Sequence, residues 1–153
     1  MINSDYADRA EKLFLEGYSC SQAILMAWAR ECGLDSDTAK KIAATFGGGM
    51  GRLRKTCGSL TGAFMVLGLK YGNTEPKDLK TKFNSYFLTR LLAERFAGIH
   101  GSTECAELLS CHVTDSQVKK RQHHQKICRQ LVRDAALLLA EITAENPVVK
   151  KDR

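Results

Sequence analysis

Cysteine is the residue type in this chain best suited to chemistry, and six of the 153 residues are cysteines. Three of them, Cys20, Cys57 and Cys105, fall in the first turn of a predicted helix. The N-terminus of a helix favours negative charge, so each of these thiols should ionise more easily there. The helix dipole contributes only about 0.3–1 kcal/mol, less than one pKa unit, so it does not ionise a thiol at neutral pH by itself.

Cys57 is the strongest candidate nucleophile because a glycine-rich basic loop precedes it. The backbone amides of this loop can face an anion, and its basic residues are Arg52, Arg54 and Lys55. We therefore predict that Cys57 reacts as the thiolate. Cys105 or Cys20 would then resolve the product to a disulfide.

The other cysteines carry weaker signals. Cys128 lies inside the last predicted helix at the spacing of core residues, and a free cysteine is often simply a small buried hydrophobe. Cys105 and Cys111 are six residues apart, which places them on different faces of a helix and argues against a local disulfide.

A metal site is the alternative use of these thiols. Four thiolates from four helices would suit zinc or an iron–sulfur cluster, and they would come from Cys20, Cys57, Cys105 and Cys128. The sequence contains no C-x-x-C pair, so its spacing identifies neither cofactor and we commit to neither. His100 and His112 flank Cys105, and we interpret them as exposed loop residues rather than ligands.

Charge and hydropathy exclude several classes of protein. A content of 44% hydrophobic and 26% charged residues is typical of a folded domain, and the formal net charge is only +6. Basic residues cluster at 119–133 with no aromatic residue among them, which favours a solvated helix face over a nucleic-acid surface. We see no signal sequence and no apolar run long enough to span a bilayer, and we expect a cytoplasmic protein without membrane insertion.

A series of helices must position the cysteines, because caps and glycines divide the chain and no useful alternating pattern is present. The predicted helices are 5–16, 20–32, 36–46, 57–71, 76–97, 103–110 and 115–145. The predicted fold class is therefore all-α, a single compact bundle of six to seven helices at 1–146 with a basic tail at 147–153.

Local signals set the predicted ends of these helices. Ser19 and Gln22 form a capping box for the second helix, and Thr56 caps the helix that contains Cys57. Pro76 opens the long helix, since proline is tolerated in a first turn, and the segment 98–101 breaks it.

Glycine and alanine predict close backbone contacts at two places. The run Gly-Gly-Gly-Met-Gly at 47–51 must either turn tightly or let another group approach closely. Gly58, Gly62 and Ala63 form a small face that allows a neighbouring helix to pack against it.

Four stretches of the chain, at 17–23, 46–51, 57–63 and 105–109, occur in an order that resembles the C-GCAxxG-C-C family of redox-active proteins. The resemblance covers about residues 6–143. It implies redox activity through four characteristic cysteines, here Cys20, Cys57, Cys105 and Cys128, and makes Cys32 and Cys111 additional. The central motif departs from the family pattern, because Thr56 replaces a glycine and Ser59 replaces an alanine.

Three functions remain open at this point. The first is a thiol oxidoreductase that exchanges electrons with a partner protein or a small-molecule carrier. The second is a protein in which the same four cysteines hold zinc or an iron–sulfur cluster. The third is a non-enzymatic helical binding module whose basic face at 119–133 binds an acidic partner or nucleic acid, although we do not expect a nucleic-acid partner.

Overall fold

The computed structural model describes residues 3–110 and 117–148, except for the side chains of residues 110, 117–121 and 123. This part of the chain forms seven right-handed helices and contains no strand, which confirms the all-α prediction. The helices are α1 (Asn3–Leu15), α2 (Cys20–Ala29), α3 (Ser36–Ala44), α4 (Gly58–Tyr71), α5 (Leu79–His100), α6 (Cys105–Ser110) and α7 (Gln117–Glu145).

Helix α2 lies at the centre of the bundle, in contact with α1, α3, α4 and α7. It is apolar on nearly every side, so burying it requires neighbours all round. Ile24, Leu25 and Trp28 are at most 1% exposed. The predicted capping box is confirmed, because the Ser19 side chain accepts from the Gln22 amide and the Gln22 side chain accepts from the Ser19 amide. The cap sets the start of α2 at Cys20.

Helix α4 packs closely on α2 because small residues line the contact. A Cβ atom at Gly62 would lie 2.7 Å from the Ser21 carbonyl oxygen, and one at Gly58 would lie 3.2 Å from the Cys20 Cβ. The predicted small face is confirmed. It brings the N-terminus of α4 next to the N-terminus of α2.

Helix α7 closes the bundle and carries α1 on its surface. Arg129 Nε lies 2.6 Å from Glu11 Oε1, and Arg133 Nη1 lies 2.7 Å from both Glu11 Oε2 and Asp8 Oδ1. Part of the predicted basic face is thus paired with acidic residues of α1. No described helix combines the length and the hydrophobicity needed to cross a bilayer.

Two predicted boundaries of the long helix are wrong. Helix α5 begins at Leu79 rather than Pro76, because Asp78 is the N-cap and its carboxylate accepts from the Thr81 amide at 3.2 Å. Gly98 lies inside α5, and the helix ends at Gly101, whose φ of 84° provides the left-handed C-cap. A glycine in the last turn does not stop a helix when a better C-cap follows.

One predicted helix cap is wrong, and some predictions concern residues that the structure does not describe. The N-cap of α4 is Cys57 itself and not Thr56. Cys111 and His112 lie outside the described residues, as does most of the predicted tail at 147–153, of which only residues 147 and 148 are described.

Candidate functional site

The glycine run adopts a left-handed turn, which comprises residues 48–52. All five of these residues have a positive φ, between 61° and 71°. Left-handed backbone costs roughly 1–2 kcal/mol per residue when a Cβ is present, so glycine at three of the five positions keeps this cost low. Met50 and Arg52 have no such freedom, and Arg54, two residues later, has a φ of 60°.

The glycine run at 47–51 packs against the starts of α2 and α6, the helices that begin at Cys20 and Cys105. A Cβ atom at Gly49 would lie 2.6 Å from the Cys105 Cβ and 2.9 Å from the Lys55 nitrogen. A Cβ atom at Gly47, just before the turn, would lie 2.6 Å from the Ser19 Cβ. The prediction that the glycines allow a close approach is confirmed. They let the starts of α2 and α6 meet the same loop.

Backbone hydrogen bonds join the segment before α4 to the segment before α6. The Cys57 amide donates to the Thr103 carbonyl at 2.8 Å, and the Cys105 amide donates to the Lys55 carbonyl at 2.7 Å. The Ala106 amide donates to the Arg54 carbonyl at 3.1 Å. This short ladder holds Cys57 and Cys105 side by side although they are far apart in the sequence.

A cavity of about 550 Å³ lies where these elements meet, and we call it the thiol cavity. All four cysteines predicted as site residues line it, namely Cys20, Cys57, Cys105 and Cys128. Arg52, Arg54 and His124 also line it, together with the apolar residues Phe14, Leu108, Leu109 and Leu131. Basic and apolar side chains in one lining make the cavity amphipathic.

The thiols of Cys20 and Cys128 interact within the cavity. The hydrogen bond between the two thiols raises the pKa of Cys20 well above its ordinary value, and burial acts in the same direction. The same hydrogen bond lowers the pKa of Cys128, and the positive charge of Arg54 contributes to the lowering. The pair thus favours a Cys128 thiolate that accepts from the Cys20 thiol.

The pKa of the Cys57 thiol is raised, whereas the sequence predicts that it is lowered. Its side chain is 4% exposed, and burial raises the pKa of the thiol to about 11. The amide and the hydroxyl of Ser59 lower this pKa, as expected for a thiol at a helix N-cap, but burial has the larger effect. Nearby charge on Cys128 or Cys105 would raise it further.

Arg54 makes the polar side-chain contact to Cys105. Its Nη1 donates to the Cys105 Sγ at 3.6 Å. Neither Arg52 nor Arg54 forms an ion pair with a carboxylate in the part of the chain that the structure describes.

Ser59, already identified from the sequence as a departure from the family motif, acts on two thiols, whereas sequence reasoning missed the place of His124 in the cavity. Ser59 Oγ is fully buried and makes no hydrogen bond of ordinary geometry, yet it faces the Cys20 and Cys57 thiols and lowers the pKa of both. His124 lines the cavity one helical turn before Cys128. The i, i+4 spacing of His124 and Cys128 is a sequence signal that could have placed both on one face of α7.

The interpretation of His100 as an exposed loop residue is wrong. It is the last residue of α5, its side chain is 15% exposed, and its Nε2 lies 3.0 Å from Asp134 Oδ2 on α7. His100 does not line the thiol cavity. Cys32 also lies away from the cavity, just past the end of α2.

The metal alternative finds no geometric support in the described residues. No group of three or more His, Cys, Asp or Glu side chains among them is arranged to hold a metal ion. The four thiols share a cavity without forming a metal-binding cluster, so we derive no step through a metal.

Comparison with known proteins connects this cavity to a family. A family model with the description "Putative redox-active protein (C_GCAxxG_C_C)" matches residues 18–142. This range begins after α1 and includes all four cysteines of the thiol cavity. No curated protein and no solved structure matches the chain.

Proposed function

Because the chain belongs to the C_GCAxxG_C_C family of redox-active proteins, we propose that it is a thiol redox protein in which Cys20 and Cys128 cycle between two thiols and one disulfide. The family supports a general redox role. The observation that supports the specific assignment is that Cys20 and Cys128 line the same cavity, where their interaction raises the pKa of Cys20 and lowers the pKa of Cys128.

In this proposal Cys128 is the attacking thiolate. The Cys128 thiolate attacks one sulfur of an external disulfide, a mixed disulfide forms, and the first half of the external molecule leaves as a thiolate. Cys20 then attacks the Cys128 sulfur and the second half leaves as a thiol that carries the proton of Cys20. The protein loses two electrons and the external disulfide gains them.

Cys57 and Cys105 have a second role in this proposal. Burial makes Cys57 a poor thiolate at neutral pH, which is why we assign the attack to Cys128 instead. Cys57 lies close enough to both Cys20 and Cys105 to interact with their charges. We assign to Cys57 and Cys105 the acceptance of the disulfide from the first pair by thiol–disulfide exchange.

Redox equilibration with disulfide mapping tests the assignment. The protein is equilibrated with dithiothreitol buffers of graded potential, the free thiols are trapped by alkylation, and the peptides are identified by mass spectrometry. We expect a two-electron transition in which the first disulfide to form joins Cys20 to Cys128. Cys20→Ser and Cys128→Ser should abolish that disulfide.

Cys32→Ser is the matched control, because Cys32 is a free cysteine outside the thiol cavity. This variant should keep the same transition as the wild type. The assignment is wrong if the first disulfide to form joins any other pair of cysteines, or if mapping finds no disulfide among the four cavity cysteines at any potential. Near-stoichiometric zinc or iron in protein purified anaerobically without a metal-binding tag would also overturn it, since the thiols would then be ligands.

A further inference from the structure

The thiol cavity has a cationic side that the described residues leave unneutralised. Arg52 and Arg54 both line it, and among the described residues no Asp or Glu does. Arg54 contacts the Cys105 sulfur at 3.6 Å, and neither guanidinium pairs with a described carboxylate. Two guanidinium groups at one cavity attract an anion and can bind a carboxylate or phosphate through directed hydrogen bonds.

The backbone that carries the two arginines is held in place rather than free. Arg52 and Arg54 both have a positive φ, which disfavours a residue with a Cβ unless the surroundings impose it. The Lys55 amide donates to the Gly49 carbonyl at 3.0 Å, and the Ala106 amide donates to the Arg54 carbonyl at 3.1 Å. These bonds hold the backbone segment from which the two arginine side chains extend.

The apolar part of the lining indicates that the ligand is more than a simple inorganic anion. Phe14, Leu108, Leu109 and Leu131 contribute to this lining, and the cavity volume is about 550 Å³. Cavities of about 300–1,000 Å³ with an apolar lining and a few polar groups are typical of sites for small organic molecules. A ligand that fits this mixed lining has an apolar body and a negatively charged group.

The thiols specify the reactive part of that ligand. Cys20 and Cys128 line the same cavity as the two arginines, so a molecule anchored at the arginines places its body beside the thiol pair. A disulfide reacts with a dithiol without any further oxidant or reductant.

We propose that the thiol cavity binds low-molecular-weight organic disulfides that carry a carboxylate or another anionic group, with Arg52 and Arg54 as the residues that select the charge. The proposal rests on the function proposed above. The Cys20–Cys128 dithiol becomes a disulfide, and the bound disulfide is released as two thiols.

Three disulfides of similar size and different charge test the selectivity. The reduced protein is mixed with dithiodipropionate, which is anionic, with hydroxyethyl disulfide, which is neutral, and with cystamine, which is cationic. Each oxidation rate is divided by the rate of the same reagent with dithiothreitol, which removes intrinsic reactivity. We expect the normalised rate for the anionic reagent to exceed that for the neutral one by about tenfold, and the cationic reagent to be slowest.

Variants of the arginines test which residues cause the selectivity. Arg52→Gln should lower the ratio of anionic to neutral rates by about fivefold, since one charge-assisted contact is lost. Arg54→Gln should lower the same ratio, and it should also slow the neutral reagent because Arg54 lowers the pKa of Cys128. Lys41→Gln is the matched control. It removes one positive charge from an exposed position on α3, outside the cavity, and should leave the ratio unchanged.

An unreactive ligand separates the failure of this inference from the failure of the proposed function. Suberate has the length and the two carboxylates of dithiodipropionate but no sulfur, and its binding is followed by chemical shifts of the backbone amides. We expect shifts at residues of the thiol cavity that Arg52→Gln weakens. Suberate binding without oxidation by any disulfide would reject the redox assignment and keep the anion site. Oxidation with equal normalised rates and no suberate binding would reject the anion site and keep the redox assignment.

Discussion

Two effects oppose each other at the thiol of Cys57, and burial is the larger one. Cys57 occupies the N-cap of α4, where amide and hydroxyl groups of Ser59 lower its pKa. The side chain is 4% exposed, and desolvation of the thiolate raises the pKa to about 11. Cys128 has the opposite balance, because a thiol donor and a nearby arginine outweigh its burial. A helix-start position therefore predicts an accessible thiolate only when the thiol is also solvated or paired.

Ser59→Ala tests the contribution of the buried hydroxyl to this balance. Removing the hydroxyl should raise the pKa of the Cys57 thiol, because Ser59 lowers that pKa in the native protein. A thiol is alkylated as the thiolate, so at any pH below its pKa the rate of Cys57 alkylation should fall in the variant. The rate is measured as a function of pH by mass spectrometry of the Cys57 peptide.

Ser85→Ala is the control for Ser59→Ala, since Ser85 is also a buried helical serine but lies on α5 and outside the thiol cavity. It should leave the alkylation profile of Cys57 unchanged. Its hydroxyl donates to the Lys82 carbonyl at 2.7 Å, so this variant should lose about 1 kcal/mol of stability. An identical Cys57 profile in wild type and Ser59→Ala would contradict the role given to Ser59.

The left-handed turn is the element on which the geometry of the cavity depends most. Residues 48–52 run through a conformation that ordinary residues avoid, and Gly49 lies where no side chain fits. The turn contacts α2, α4 and α6, and thus the elements that begin beside Cys20, Cys57 and Cys105. One backbone conformation at this turn thereby sets the relative positions of three cysteines.

Gly49→Ala should destabilise the protein by at least about 2 kcal/mol, because it adds left-handed strain and a steric clash. The new Cβ would lie 2.9 Å from both the Lys55 nitrogen and the Lys55 oxygen, and this backbone cannot move without breaking the ladder to the α6 segment. The free energy of unfolding is measured by urea denaturation followed by circular dichroism.

Gly98→Ala is the matched glycine substitution. Gly98 lies inside α5 and a Cβ there would meet nothing within 4 Å. The substitution should stabilise the protein by about 0.5–1 kcal/mol, since alanine is the better helix former. Equal stabilities of Gly49→Ala and the wild type would show that the turn is not held as described.

At the scale of the whole molecule, ion pairs join α1 to α7. Helix α1 lies outside the range that the family model matches, and α7 carries Cys128. Glu11 pairs with both Arg129 and Arg133, and the hydrogen bond from Arg129 is the largest of the effects that lower its pKa. A carboxylate with a lowered folded-state pKa stabilises the protein above its ordinary pKa of 4.5, and this contribution is lost as the pH falls through the folded-state value.

Glu11→Gln should therefore cost about 1 kcal/mol of stability at about pH 7, and the difference from the wild type should disappear as the pH falls through the lowered folded-state pKa of Glu11. Urea denaturation of both proteins at a series of pH values measures this difference in the free energy of unfolding. Glu16→Gln is the control, because Glu16 is exposed just past α1 and forms no ion pair with a described residue. A difference for Glu11→Gln that persists at low pH would contradict the electrostatic explanation.

The local elements of this protein are predictable from its sequence because their causes are local. The capping box at Ser19 acts over three residues and places Cys20 at the start of α2. The glycine run at 47–51 predicts an unusual backbone conformation, and residues 48–52 all have a positive φ. The errors at Pro76 and Gly98 concern helix ends, where Asp78 and Gly101 provide better caps than the residues chosen.

By itself, the sequence determines the all-α class, the helix starts that carry three cysteines, and the resemblance to a redox family. Only the tertiary structure decides that the four cysteines line one cavity, that Cys20 and Cys128 shift each other's pKa, and that Cys57 is too buried to ionise easily. Helix caps depend on hydrogen bonds within a few residues of the same chain segment. A thiol pKa depends on desolvation and charge from residues that are distant in the sequence, and these come together only through packing.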